Sequence, residues 1–107
     1  MRPGQLRERA ILQRNTPTTS GRGEKVDSWA AYGTVWCEVL ALRGREYYMA
    51  QQVNAEVQFK VSLRYRDDVT AQDRIVWGDR TLEVVAPPID VGGKRVILEL
   101  MCRELNA

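Results

Sequence analysis

At 107 residues the chain has room for one domain with one modest core, and its 44% hydrophobic and 28% charged residues argue against overall disorder. A net charge of +2 is too small to mark a nucleic-acid binder by itself. No apolar run approaches the ~18 residues that a membrane span requires, and the opening Met-Arg-Pro-Gly-Gln-Leu-Arg-Glu-Arg lacks the apolar core of a signal peptide.

In chain order, residues 6–13 (Leu-Arg-Glu-Arg-Ala-Ile-Leu-Gln) read as a first strand with charge along one side. Residues 15–28 then collect Thr, Pro, Ser, Gly and charges without periodicity. That is a loop of about 14 residues, longer than the usual connection, and loops of that length tend to be functional or disordered. Structure resumes over residues 29–42. There Val35, Cys37, Val39 and Ala41 alternate with Trp36, Glu38, Leu40 and Leu42, so most of both faces is apolar, as in a strand covered on both sides. Gly44 breaks the pattern. Residues 45–53 contain good helix formers without Gly or Pro, and Glu46, Met49, Ala50 and Val53 fall at i, i+3, i+4 and i+7. The spacing predicts a short helix, marginal alone, that needs a surface to lie on.

Residues 55–67 carry the strongest signal. Val57, Phe59, Val61, Leu63 and Tyr65 alternate with Gln58, Lys60, Ser62, Arg64 and Arg66, which predicts a long strand with one apolar and one basic face. Burying those five apolar side chains is worth about 10 kcal/mol before entropy, enough to fix the register. Residues 67–73 form a polar turn in which Asp67 and Asp68 cap backbone groups. Residues 74–77 and 81–85 then make a hairpin about Gly78-Asp79, where glycine supplies a positive φ. Pro87 and Pro88 end that second strand, and Val91-Gly92-Gly93-Lys94 is a further turn. Val96, Leu98, Leu100 and Cys102 alternate with polar and larger residues in the last strand. The expected fold is mainly β: a small antiparallel β-barrel of about six strands, with one short helix between the second and third, in a single domain over residues 1–107.

Little here supports catalysis. The chain has no histidine, and Cys37 and Cys102 form no Cys-x-x-Cys, so zinc is not expected and the cysteines read as two reduced, buried thiols. No glycine spacing matches a phosphate loop. No enzyme, cofactor or metal is expected. Lys60, Arg64 and Arg66 form a basic face that faces DNA or a neighbouring subunit, or else lies in solvent and pairs with Glu83 and Glu99. Phe59 and Tyr65 point away from it, which leaves no platform for stacking single-stranded bases. The aromatics are richer in information. The core claims Trp36 and one tyrosine; the surplus of Trp29, Tyr32, Tyr47, Tyr48 and Met49, with Arg45, predicts a protein interface.

The order of parts resembles the head-closure, or head-tail joining (connector), proteins of long-tailed bacteriophages. The motifs that carry it are an opening Pro-Gly-x-Leu-Arg-x-Arg-x-x-Leu-Gln (residues 3–13), a Gly/Ser-rich loop and Val-Trp-x-x-Val (residues 35–39). Arg43-Gly-x-Glu-x-x-x-Ala50, Leu63-Arg-Tyr-Arg66, Asp73-Arg-Ile-x-Trp-Gly-x-Arg-x-Leu82 and a closing Cys102-Arg-Glu104 follow. The resemblance implies a structural virion protein, assembled in the host cytoplasm as a homo-oligomeric ring at the head-tail neck. It implies a portal or adaptor protein on the head side and a tail terminator or tail tube protein on the other. Double-stranded DNA would pass through the ring without sequence-specific binding, and no membrane is involved. Residues 43–54 and 15–28 are both candidates to reach the channel. A tail-side completion or terminator ring and a small nucleic-acid-binding barrel are the alternatives.

Overall fold

The computed structural model describes residues 6–53 and 55–105. Residues 3–5 of the opening motif and residue 54 lie outside them. Strand β1 (Glu8–Asn15) starts two residues later than the charge pattern predicts. The long connection after it contains its own small hairpin, β2 (Thr18–Thr19) against β3 (Lys25–Val26), a separate two-stranded sheet. Gly23 at φ 82° makes its turn, and the Ser20 Oγ accepts from the Arg22 and Glu24 amides. Strands of two residues have no periodicity to read, so this connection looks featureless in sequence.

Strand β4 (Trp29–Ala41) runs back antiparallel to β1. Helix α1 (Gly44–Val53) follows, opened by Gly44 at φ 62°. Strand β5 (Phe59–Arg64) is the centre of the predicted long strand, shorter at both ends. Val57, Val61 and Leu63 are buried, as the alternation requires, and Phe59 and Tyr65 are partly buried. The polar face is less open than a solvated edge: Ser62 is also buried. The hairpin of β6 (Arg74–Trp77) and β7 (Arg80–Val84) turns on Gly78-Asp79, with Gly78 at φ 64°. After Pro87 and Pro88 a short β8 (Ile89–Asp90) lies along the final strand β9 (Ile97–Leu105), joined to it through a 3-10 turn at Val91–Gly93.

The pairing order is β5-β4-β1-β6-β7-β9, and β9 pairs again with β5, so six antiparallel strands close on themselves. Closure removes the exposed edges of an open sheet. Leu12, Val61, Leu63, Ile75, Leu82 and Leu100 fill the interior with no more than 1% exposure each. Cys37 and Cys102 are buried and free among them; burial, with Glu8 as a smaller influence, pushes the Cys37 thiol up to about 11.

One irregularity matters for everything that follows. On β1, Leu12 pairs with Gly33 and Gln13 with Ala31, so Tyr32 is an extra residue on β4, a β-bulge. A bulge shifts the alternation by one. Tyr32 therefore packs against the core although Trp36, at the same parity, stands outside.

Candidate partner-binding surfaces

Helix α1 carries the aromatic pair. Tyr47 is half-buried and meets Tyr48 edge to face, ring centroids 5.9 Å apart at 68°. Tyr48 is 70% and Met49 60% exposed, and Arg45 is exposed as well. Of the predicted inner face, Ala50 is half-buried but Glu46 and Met49 are exposed; Tyr47 and Gln51 are the other half-buried residues of the helix, and the side chain of Val53 lies outside the described ones. Among the described residues, the helix is tied to the barrel by Lys60 Nζ to Glu46 Oε1 at 2.9 Å and by Gln51 Nε2 donating to the Val57 carbonyl at 2.8 Å. Its packing on the strands is otherwise sparse.

The other aromatics are placed by charge. Trp29 is half-buried beneath the Arg74 guanidinium, 4.1 Å from its ring. Tyr32 lies with its ring 4.5 Å from Arg14 and 5.8 Å from Arg66, and its hydroxyl donates to Asp73 Oδ2 at 2.5 Å. Trp36, which composition assigns to the core, is 55% exposed on the outer wall, with the Arg9 guanidinium 5.3 Å from its ring. The reason is register. Val35, Cys37 and Val39 take the inner positions of β4, so Trp36 must point out.

Asp73 is the residue that pattern reading passes over, as part of a polar turn. It is fully buried. Arg14 grips both of its oxygens, Nε to Oδ1 at 3.1 Å and Nη2 to Oδ2 at 3.0 Å. The Thr70 amide and hydroxyl donate to it at 2.9 and 3.1 Å, alongside the Tyr32 hydroxyl. Burial by itself pushes the Asp73 carboxyl up; the donors from Arg14, Tyr32 and Thr70 together outweigh this and hold it below the ordinary carboxylate range. Burial and the neighbouring Asp73 charge raise the Tyr32 phenol in turn. Arg14 also donates to the Asp68 carbonyl. One carboxylate thus joins β1, β4 and the β5–β6 turn at one end of the barrel. The signal for it was present as Thr70-x-x-Asp73, the spacing at which a hydroxyl and a carboxylate cap each other's backbone.

Two of the three predicted basic residues carry an ion partner. Lys60 is paired with Glu46, and Arg66 is held by Asp68 through two hydrogen bonds of 2.9 and 2.8 Å. Gly33 makes room for it: a Cβ there would stand 2.8 Å from Arg66 Nη1. Neither expected carboxylate is bonded to these cations. Glu83 is taken by Arg103 at 2.8 Å, and Glu99 bears on Lys60 only as a nearby charge. Arg64 is exposed and shares a hollow of about 270 Å³ with Thr34, Val35, Trp36 and Arg66. Among the described residues no cluster of His, Cys, Asp or Glu suits a metal ion, and no helix is long and apolar enough to cross a membrane.

A closed six-stranded barrel with this helix between β4 and β5 can be matched to known proteins. The profile of the phage head completion protein family fits residues 1–105. The chain belongs to that family. Head completion protein gp7 of Enterobacteria phage HK97 is 28% identical over 109 residues, covering 96% of this chain and 96% of its own length. Head completion protein gp16 of Bacillus phage SPP1 is 24% identical over 89 residues, covering 83% and 82%. The solution structure of protein SF1141 from Shigella flexneri 2a superposes with a TM-score of 0.75 at 29% identity, over 97% of this chain and 96% of that one. A chain from the virion of the native gene transfer agent (GTA) particle shares the fold, with a TM-score of 0.63 at 19% identity over 92% and 94%. Family membership makes the chain a phage structural head completion protein, as the resemblance implies.

Proposed function

We propose that this head completion protein forms a homo-oligomeric ring at the virion neck. The ring closes the DNA-filled capsid below a portal or adaptor protein and offers the docking surface for the tail. The observation that carries this reading is α1: Tyr48 and Met49 lie 70% and 60% exposed on a helix that the barrel barely holds. Isolated helices of this length are marginal in water, so such a helix gains its order from a partner. Tyr, Met and Arg are the types that interfaces concentrate. Of the three cations read as a DNA-facing set, Lys60 and Arg66 are neutralised by Glu46 and Asp68. That leaves few of them free to grip DNA, which suits a ring through which DNA slides.

The test is to produce particles with Tyr47→Ala or Tyr48→Ala. The proposal expects heads that lose DNA or fail to acquire tails, with the purified variants still folded by circular dichroism. Tailed particles that retain DNA with both variants would contradict the assignment of α1 as interface.

A further inference from the structure

We propose that the hollow beside Trp36 receives the β2–β3 hairpin of an adjacent copy of this chain, with Val26 against the indole and Glu24 between Arg9 and Arg64. This rests on the ring reading and names the contact that closes the ring. Trp36 is the largest side chain the barrel leaves outside, 55% exposed. Arg9 pairs with it across β1, and Arg64 lines the same hollow from β5. A second hollow, of about 330 Å³, lies alongside between Arg9, Ile11 and Val76, and Thr34 borders both. Ile11 is itself 38% exposed. No residue that lines either hollow is acidic. The wall is thus an apolar strip rimmed by Arg9, Arg64 and Arg66, of which Arg66 is held by Asp68.

The hairpin has the complementary character. It is a sheet of its own, paired to no barrel strand, and residues 21–27 are all exposed. Val26 is 48% exposed and pairs with Thr18. Glu24, two residues away and also exposed, lies just before the strand, beside the turn at Gly23. The hairpin therefore offers an exposed β-branched apolar side chain with a carboxylate two residues away. The chain cannot place it on its own wall. The hairpin is rooted where Asn15 pairs with Trp29, and Trp36 lies seven residues further along β4. At ~3.3 Å per residue that is about 23 Å of stiff strand leading away from the root. Hairpin and wall are different surfaces of one molecule, so the contact is heterologous and forms a ring when its rotation closes.

The test uses particles assembled with the Val26→Cys, Thr34→Cys double variant, whose native Cys37 and Cys102 are buried and free. Oxidation followed by non-reducing electrophoresis should give a ladder of covalent multiples of the chain, absent from either single variant. In parallel, Glu24→Arg should lower the yield of infectious particles about tenfold, and adding Arg64→Glu should restore it. A chain that is present in tailed particles but remains monomeric on the gel overturns the hairpin contact and leaves the ring reading standing. A cross-link from position 34 to another virion protein, or binding of a single-stranded oligonucleotide that Arg9→Ala with Arg64→Ala abolishes, overturns it as well by giving the wall a different occupant. Absence of the chain from particles overturns both readings.

Discussion

Asp73 shows how much one side chain can hold together. Its carboxylate is buried, and its donors come from β1, from the β4 bulge and from the turn before β6. Removing it leaves Tyr32 and Thr70 without that acceptor and Arg14 with only the Asp68 carbonyl. Arg14 is 40% exposed and can hydrate, which places the loss below that of a fully buried pair. Asp73→Ala should therefore destabilise the barrel by about 2–3 kcal/mol in a denaturant titration. The pH dependence follows from the two shifts. The Asp73 carboxyl is depressed on folding, so its contribution is present above the usual carboxylate range and fades as pH falls below about 4. The Tyr32 phenol is raised, so its contribution is present at neutral pH and fades as pH climbs past about 10, where the buried thiols also add to the loss. Unfolding free energy measured across pH should show both limbs. Asp73→Ala should lessen the acid one, to which Asp68 and Glu104 also contribute, and Tyr32→Phe should lessen the alkaline one; unchanged limbs in both variants would contradict this account of the network.

At the scale of elements, the strands with a long period-two pattern or a two-residue glycine turn could be read directly. β5 and the β6–β7 hairpin are where alternation and Gly78 put them, because burial on one face fixes register and a two-residue turn allows few geometries. What escaped depends on neighbours in space. Tyr32 faces inward only because a bulge opposite Leu12 and Gln13 shifts the parity, and no local pattern announces a bulge. The aromatic neighbour of Arg64 is Trp36, on the adjacent strand rather than on its own, so a single-strand reading finds the cation without its companion. α1 exists as predicted, but its half-buried residues are Tyr47, Ala50 and Gln51, and Glu46 reaches the barrel only through an ion pair with Lys60. With so little packing, α1 should open far more readily than the barrel. Hydrogen exchange on the free chain should show its amides exchanging fast while those of β5 and β9 stay protected, and assembly should slow exchange in α1. Equal protection of α1 and β5 in the free chain would show that the helix needs no partner.

For the whole molecule, the barrel closes on itself while its periphery leaves large apolar groups uncovered. Six strands leave no open edge, yet the outer wall exposes Trp36, the hairpin exposes Val26 and the helix exposes Tyr48 and Met49. On the proposed ring reading, such uncovered groups suit a subunit that touches copies of itself and other virion proteins. Membership in the phage head completion protein family agrees with that division between a closed core and an open periphery. The most direct measurement is cryo-electron microscopy of the neck of particles that carry this chain. The account predicts a ring of copies in which α1 and the Trp36 wall are covered by neighbouring protein. A neck without the chain, or copies in which both surfaces face bulk solvent, would contradict it.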